Sequence, residues 1–197
     1  MWRLRELINR LIGILSSKLF NVSDLMKLQK YSKDILELLH TARDLYQKNI
    51  LPLITVEISG GKLAEMIYKN MPAGEKLTLY VFDGKYYVPD KEAFELIAST
   101  GIQKELKYRS EVFDCDDFAF GFKAYASEIY LINSVGIAIG RVIDDSGKVG
   151  YHAWNIALIY DADGVKLVTY EPQSGQWSEG IYTKVGGWKY EPDVIII

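Results

Sequence analysis

The sequence predicts an α+β protein with helices gathered early and strands gathered late. Three observations carry this. Apolar residues recur at helical spacing through the first fifty positions. One further strongly helical stretch runs from Asp116 to about Tyr130. After it, short apolar runs alternate with Asp- and Gly-containing turn sequences to the last residue. Helix first and sheet second is an α+β order and not the alternation of a parallel βαβ protein.

Taken in order, Trp2, Leu4, Leu7, Ile8, Leu11, Ile12, Leu15 and Leu19 predict a first helix, with Arg3, Arg5, Arg10 and Lys18 among them. Asn21-Val22-Ser23-Asp24 supplies stop and cap chemistry, and a second helix carries Leu25, Leu28, Tyr31, Ile35, Leu38, Leu39, Ala42 and Leu45 until Pro52. His40 falls within this stripe and reads as structural. Basic residues around an apolar stripe invite a membrane-surface reading of residues 1–20. Packing as a hairpin, or onto the domain C-terminal to it, is the preferred reading, because mixed helices of this kind mostly face a core. Residues 1–49 are therefore a helical segment suited to docking or oligomerisation, and residues 50–197 a separate α+β domain.

Within that domain, Gly60-Gly61 precedes a short helix from Lys62 to Asn70. Leu77–Phe82 and Tyr86–Val88 flank Asp83-Gly84-Lys85, a hairpin signal. Asp90 caps a helix through Ile97. In the stretch from Asp116 to Tyr130, Phe118, Phe122, Tyr125, Ala126 and Ile129 share one face. Strands follow at Ile137–Ile143, Gly150–Tyr160, Val165–Tyr170, Gly180–Val185, Trp188–Tyr190 and Val194–Ile197. Asp161-Ala162-Asp163-Gly164 looks like the start of a calcium loop but has no ligand-spaced continuation, so it reads as a β-turn.

An apolar fraction of 49% and a charged fraction of 25% over 197 residues are those of a globular protein with one sizeable core. A net charge of −3 gives no overall attraction to nucleic acid. A single cysteine excludes an internal disulfide framework and suits a reducing compartment. One Cys and two separated His do not assemble a zinc cluster. No apolar run nears the roughly 20 residues of a spanning helix, and the basic start has no small-residue cleavage site after it, so the expected location is cytoplasmic. No organic cofactor is implied.

The candidate chemistry centres on Cys115, in Asp114-Cys115-Asp116-Asp117-Phe118-Ala119 at a helix start. His152, in His152-Ala153-Trp154-Asn155, and Glu171, in Glu171-Pro172-Gln173, follow on strands. A helix N-terminus and a neighbouring imidazolium favour a thiolate, and a carboxylate on the far ring nitrogen fixes a histidine tautomer. In chain order these three supply a nucleophile, a base and an orienting acid. Against this, Asp114, Asp116 and Asp117 crowd the thiol with negative charge. A hard cation such as calcium, held by Glu111 and Asp117, would relieve that repulsion. Taken singly, each residue has a plainer reading: a small buried thiol, a structural histidine and an ordinary strand end.

The three motifs together with Gly136-Ile137-Ala138-Ile139-Gly140-Arg141-Val142 resemble the papain-like and transglutaminase-like cysteine protease superfamily. Within it the resemblance is nearest to the agglutinin C-terminal domain of the Marasmius oreades type and its phage and microbial relatives, and it covers roughly residues 53 to 180. It implies a papain-like fold, a Cys115–His152–Glu171 catalytic triad acting on peptide or amide bonds, and calcium dependence. Two departures stand out. The stretch before the cysteine is Tyr108-Arg109-Ser110, without the oxyanion glutamine of papain-like enzymes, and no repeat of a sugar-binding module precedes the domain. The competing expectation is a non-catalytic structural or interaction protein, for example of a virus or phage, that reuses the fold.

Overall fold

A computed structural model describes residues 22–49, 51–101 and 106–197. The predicted first helix, and any membrane contact through residues 1–20, lie outside the described residues. The chain divides into two compact units, Met1–Ile50 and Leu51–Ile197. In the first, α1 (Val22–Asn49) runs 28 residues without a break. Local side-chain bonds close its later turns: Thr41 Oγ1 donates to the Glu37 carbonyl at 2.9 Å, and Asn49 Nδ2 donates to that of Leu45 at 2.9 Å. Met26, Leu36, Leu39 and Leu45 are exposed along it. No helix among the described residues is long and apolar enough to cross a membrane.

The second unit opens with α2 (Leu51–Ile54), β1 (Thr55–Ser59) and α3 (Gly60–Lys69). The Ser59 hydroxyl accepts the Lys62 N–H at 3.1 Å and caps α3, whose Leu63 and Ile67 are buried. Next come β2 (Thr78–Tyr80), β3 (Lys85–Pro89) and α4 (Lys91–Thr100). Asp90 caps α4 as expected, accepting the Ala93 N–H at 2.7 Å. The unit continues with α5 (Cys115–Tyr130), β4 (Val135–Ile143), β5 (Val149–Asp161), β6 (Gly164–Glu171), β7 (Gln176–Glu179), β8 (Lys184–Val185) and β9 (Trp188–Ile196). Among the described residues the main sheet is ordered β2-β9-β4-β5-β6-β7, with β8 beside β9, and β1 and β3 form a separate antiparallel pair.

Three local expectations are corrected. The runs around Asp83-Gly84-Lys85 do not pair with each other: β2 joins β9 in parallel, Thr78 opposite Val194, and β3 joins β1, Val88 opposite Val56. The turn between them packs on the start of α3. The Gly60 N–H donates to the Gly84 carbonyl at 3.1 Å, and a Cβ at Gly60 would lie 2.4 Å from the Asp83 carbonyl oxygen. The C-terminal segments are one strand, not two, with a bulge where Gly140 faces Pro192. Proline has no N–H for the ladder, and a Cβ at Gly140 would sit 2.3 Å from the Glu191 carbonyl oxygen, so both residues suit the shift. The run expected from Gly180 is split because Gly180 takes φ 93° between β7 and β8.

Strand residues alternate between the two sheet faces. One face carries Ala138, Trp154, Ile156, Leu158, Tyr190 and Ile195, which pack with Leu63 and Ile67 of α3 and with Tyr86 and Val88 of β3. The other meets α5, where Ala119 packs with Ile137 and Ala153. The buried stripe of α5 runs through Phe118, Ala119, Phe122 and Ala126 and leaves Ile129 exposed. Asn155 ties this face together: its amide donates to the Ala119 carbonyl at 2.9 Å and to that of Gly136 at 3.0 Å.

Candidate functional site

Cys115 is the first residue of α5, and Asp114 before it has extended backbone. The Asp114 N–H donates to Asp117 Oδ2 at 3.1 Å, so Asp117 serves the helix start. Glu111, at φ 61°, turns the preceding loop, and its N–H donates to Asp114 Oδ2 at 3.1 Å. Among the described residues, the ligand atoms that gather within 4.8 Å of one another are those of Asp114, Cys115 and Asp116. Neither Glu111 nor Asp117 belongs to that set. It offers two carboxylates and a sulfur, whereas calcium takes roughly six to eight oxygens. The two carboxyls hydrogen-bond to each other instead. That bond is the main reason the Asp116 carboxyl is pushed above, and the Asp114 carboxyl held below, the ordinary aspartate value.

The thiol is partly buried and packs against the cluster of Ala119, Ile137 and Ala153, on the α5 face of the sheet. Burial pushes its pKa up; a backbone hydrogen bond from Ala153 works in the opposite direction, and the charges of Asp114 and Asp116 push it further up. Burial and the neighbouring carboxylates thus favour the thiol over the thiolate. Among the described residues no hydrogen bond joins it to His152. Alkylation of Cys115 by iodoacetamide is expected to be slower than that of a free model thiol at neutral pH and to accelerate only above the ordinary thiol range. Mass spectrometry over a pH series checks this. Rapid alkylation at mildly acidic pH would contradict the protonated state.

His152 and Glu171 do come together. His152 stands on β5 opposite Gly140, on the face away from α5. Its ring stacks beside Trp154, with centroids 6.3 Å apart and an interplanar angle of 19°, and meets Tyr190 at 6.2 Å. His152 Nε2 lies 2.7 Å from Glu171 Oε2. The Tyr190 hydroxyl donates to the same oxygen at 3.0 Å, and the Gln173 N–H donates to Oε1 at 3.0 Å. Glu171 is thus a buried carboxylate with three donors around it.

This cluster forms one wall of a cleft of about 380 Å³. Gln173, Gln176 and Trp188 line the cleft with His152, Glu171 and Tyr190, and Cys115 is not among the lining residues. Trp188 begins β9 after the Gly186-Gly187 turn and remains 37% exposed, which leaves indole surface for a ligand. The sequence reading placed Glu171 with His152 but missed Gln176, Trp188 and Tyr190. An aromatic following paired glycines, two residues before another aromatic, was the available signal.

The model of the Ricin-type beta-trefoil lectin C-terminal domain matches residues 59–186, and the chain belongs to that family. A solved PSL1a–E64 complex has a similar fold, with a TM-score of 0.54 and 22% identity over 72% of this chain and 51% of that one. A Polyporus squamosus lectin, bound to the human-type influenza-binding epitope Neu5Aca2-6Galb1-4GlcNAc, is 23% identical over 62% of this chain and 45% of that one, with a TM-score of 0.48. The chain spans about half the length of these solved chains. No curated protein matches it.

These findings keep the agglutinin-like part of the resemblance and overturn the rest. The fold is that of the lectin C-terminal domain and not a papain-like cysteine protease fold. The expected protease, hydrolase and catalytic-triad description is corrected with it. The geometry shows why the motifs misled. The chain order Cys–His–Glu is met by a helix start and two strands, but only the last two residues are hydrogen-bonded, while the thiol packs on the α5 face.

Proposed function

We propose that this domain is a non-catalytic, lectin-type module that holds a neutral saccharide in the cleft beside the His152–Glu171 pair. The observation that carries the reading is the exposed Trp188 indole in a cleft lined by Gln173, Gln176 and His152. A sugar presents C–H surface and hydroxyl groups at once, and an aromatic face with side-chain amides suits both. Neutrality follows from the lining. The Glu171 carboxylate borders the cleft, and among the described residues no Lys or Arg lines it to attract an anion. Membership of a lectin-domain family supports the ligand class. In this reading His152 and Glu171 hold ligand, and Cys115 is a packing residue.

Binding of the full chain to a neutral glycan array tests the proposal. Wild type is expected to be retained, and Trp188→Ala to bind roughly tenfold more weakly or worse through lost apolar contact. Absence of retention on every neutral glycan, or equal retention of the variant, would overturn it.

A further inference from the structure

Gln176 and Gly186 both line the cleft, and they touch. Gln176 stands directly opposite Glu171 in the β6–β7 ladder. Residues opposed in this way carry their side chains on one face of a sheet, so the Gln176 side chain leaves β7 on the side of the Glu171 carboxylate. Its far end rests on the β8–β9 turn, where a Cβ at Gly186 would overlap Gln176 Oε1. The side-chain amide makes no hydrogen bond among the described residues; the bond from Gln176 to Ser174 Oγ comes from the backbone N–H. The amide is held by shape alone and keeps its donor and acceptor unspent. The turn beneath it is firmly built. Val185 is buried and pairs with Trp188. Gly186 and Gly187 take φ 58° and 86°, as a two-residue hairpin turn requires. Lys184 Nζ donates to Asp145 Oδ1 at 2.7 Å.

We infer that Gly186 and Gln176 form the specificity-determining contact of the cleft: the missing Cβ at position 186 seats the Gln176 amide beside Glu171, against the turn that leads into Trp188, where it bonds a ligand hydroxyl. The ligand class rests on the saccharide reading above; the seating does not. The atom that a methyl at position 186 would strike is the free end of an unbranched side chain. That end swings aside while the turn keeps its path, so a substitution removes the amide from the wall and leaves the fold. Losing one hydrogen bond of this kind lowers affinity roughly tenfold. Gly187 supplies the contrast. It shares the left-handed backbone, but a Cβ there meets nothing nearer than Asp145 Oδ2 at 3.8 Å.

Nuclear Overhauser NMR of the isotope-labelled full chain, followed by titration with neutral methyl glycosides, tests this. Wild type is expected to show cross-peaks between the Gln176 side chain and the Hα protons of Gly186. Gly186→Ala is expected to lose them and to bind roughly tenfold more weakly, as Gln176→Ala does. Combining the two should weaken binding no further, because both remove the same group. Gly187→Ala adds the same kind of backbone strain, so it should lower the urea midpoint yet keep the Gln176 cross-peaks and wild-type affinity. Cross-peaks absent from wild type, a Gly186→Ala variant that binds as wild type does, a Gly187→Ala variant weakened equally, or a double variant weakened about a hundredfold would overturn the inference. If the cross-peaks behave as expected while wild type binds no glycoside, the seating stands and the saccharide reading fails.

Discussion

Trp154→Ala is expected to lower the unfolding free energy by about 3–5 kcal/mol, the usual result of deleting a buried aromatic. The side chain is completely buried in the middle of β5. It lies within the cluster that joins α3 and β3 to the sheet, and Tyr190 packs edge-on against it at 5.0 Å. Its cluster also includes Leu63 and Ile67 of α3, so truncation opens a cavity between helix and sheet. Its indole N–H has no partner among the described residues, so truncation removes packing and no hydrogen bond. Trp154→Phe, which restores much of the volume, should recover most of the loss. Urea unfolding at neutral pH checks both. A midpoint for Trp154→Ala near wild type would show that this cluster is not the core of the unit.

Glu171→Ala should cost about 2–4 kcal/mol, because it strands several donors at once. His152 Nε2, the Tyr190 hydroxyl and the Gln173 N–H all point at this carboxylate. Two of these groups are largely enclosed and have no other acceptor within bonding distance among the described residues. Glu171→Gln should cost less, since its amide oxygen still accepts one of them. The same variants report on function. Both should weaken ligand binding, since each releases His152, whereas Cys115→Ser should leave it unchanged because the thiol lies outside the cleft. Calorimetric titration of the variants, compared with their urea midpoints, separates the two effects.

Local patterns in the sequence foretold local structure well. Asp90 capped its helix, the Asp161–Gly164 turn joined β5 to β6, and the apolar stripe from Phe118 to Ala126 became the buried face of α5. Each depends on neighbours a few residues away. The failures were non-local. Nothing around Leu77–Phe82 shows that its partner is Val194–Ile196 and not the segment across the adjacent turn, because that choice depends on where the chain ends its path. At the site, the pairing of His152 with Glu171 was legible from two strand-end motifs. The cleft was not, since its wall is shared between β5, the segment after β6 and the turn before β9. From sequence, the three acidic residues around Cys115 crowd the thiol with negative charge that a cation on Glu111 and Asp117 would relieve. Asp117 closes the helix start and Asp114 and Asp116 interact with each other, yet the charges of these last two still push the thiol pKa up. The protease reading failed for the same reason: chain order does not reveal which side of a strand a residue occupies, and Ala153 faces the thiol where His152 faces the cleft.

The ligand proposed for this domain is a saccharide seated on Trp188 beside His152. The most direct measurement is a titration of the 15N-labelled full chain with neutral mono- and disaccharides, following the Trp188 indole N–H and the His152 ring. Saturable shifts are expected at both and none at Cys115. Shifts absent from both groups, or cleavage of a peptide by wild type that is lost in Cys115→Ala, would contradict it.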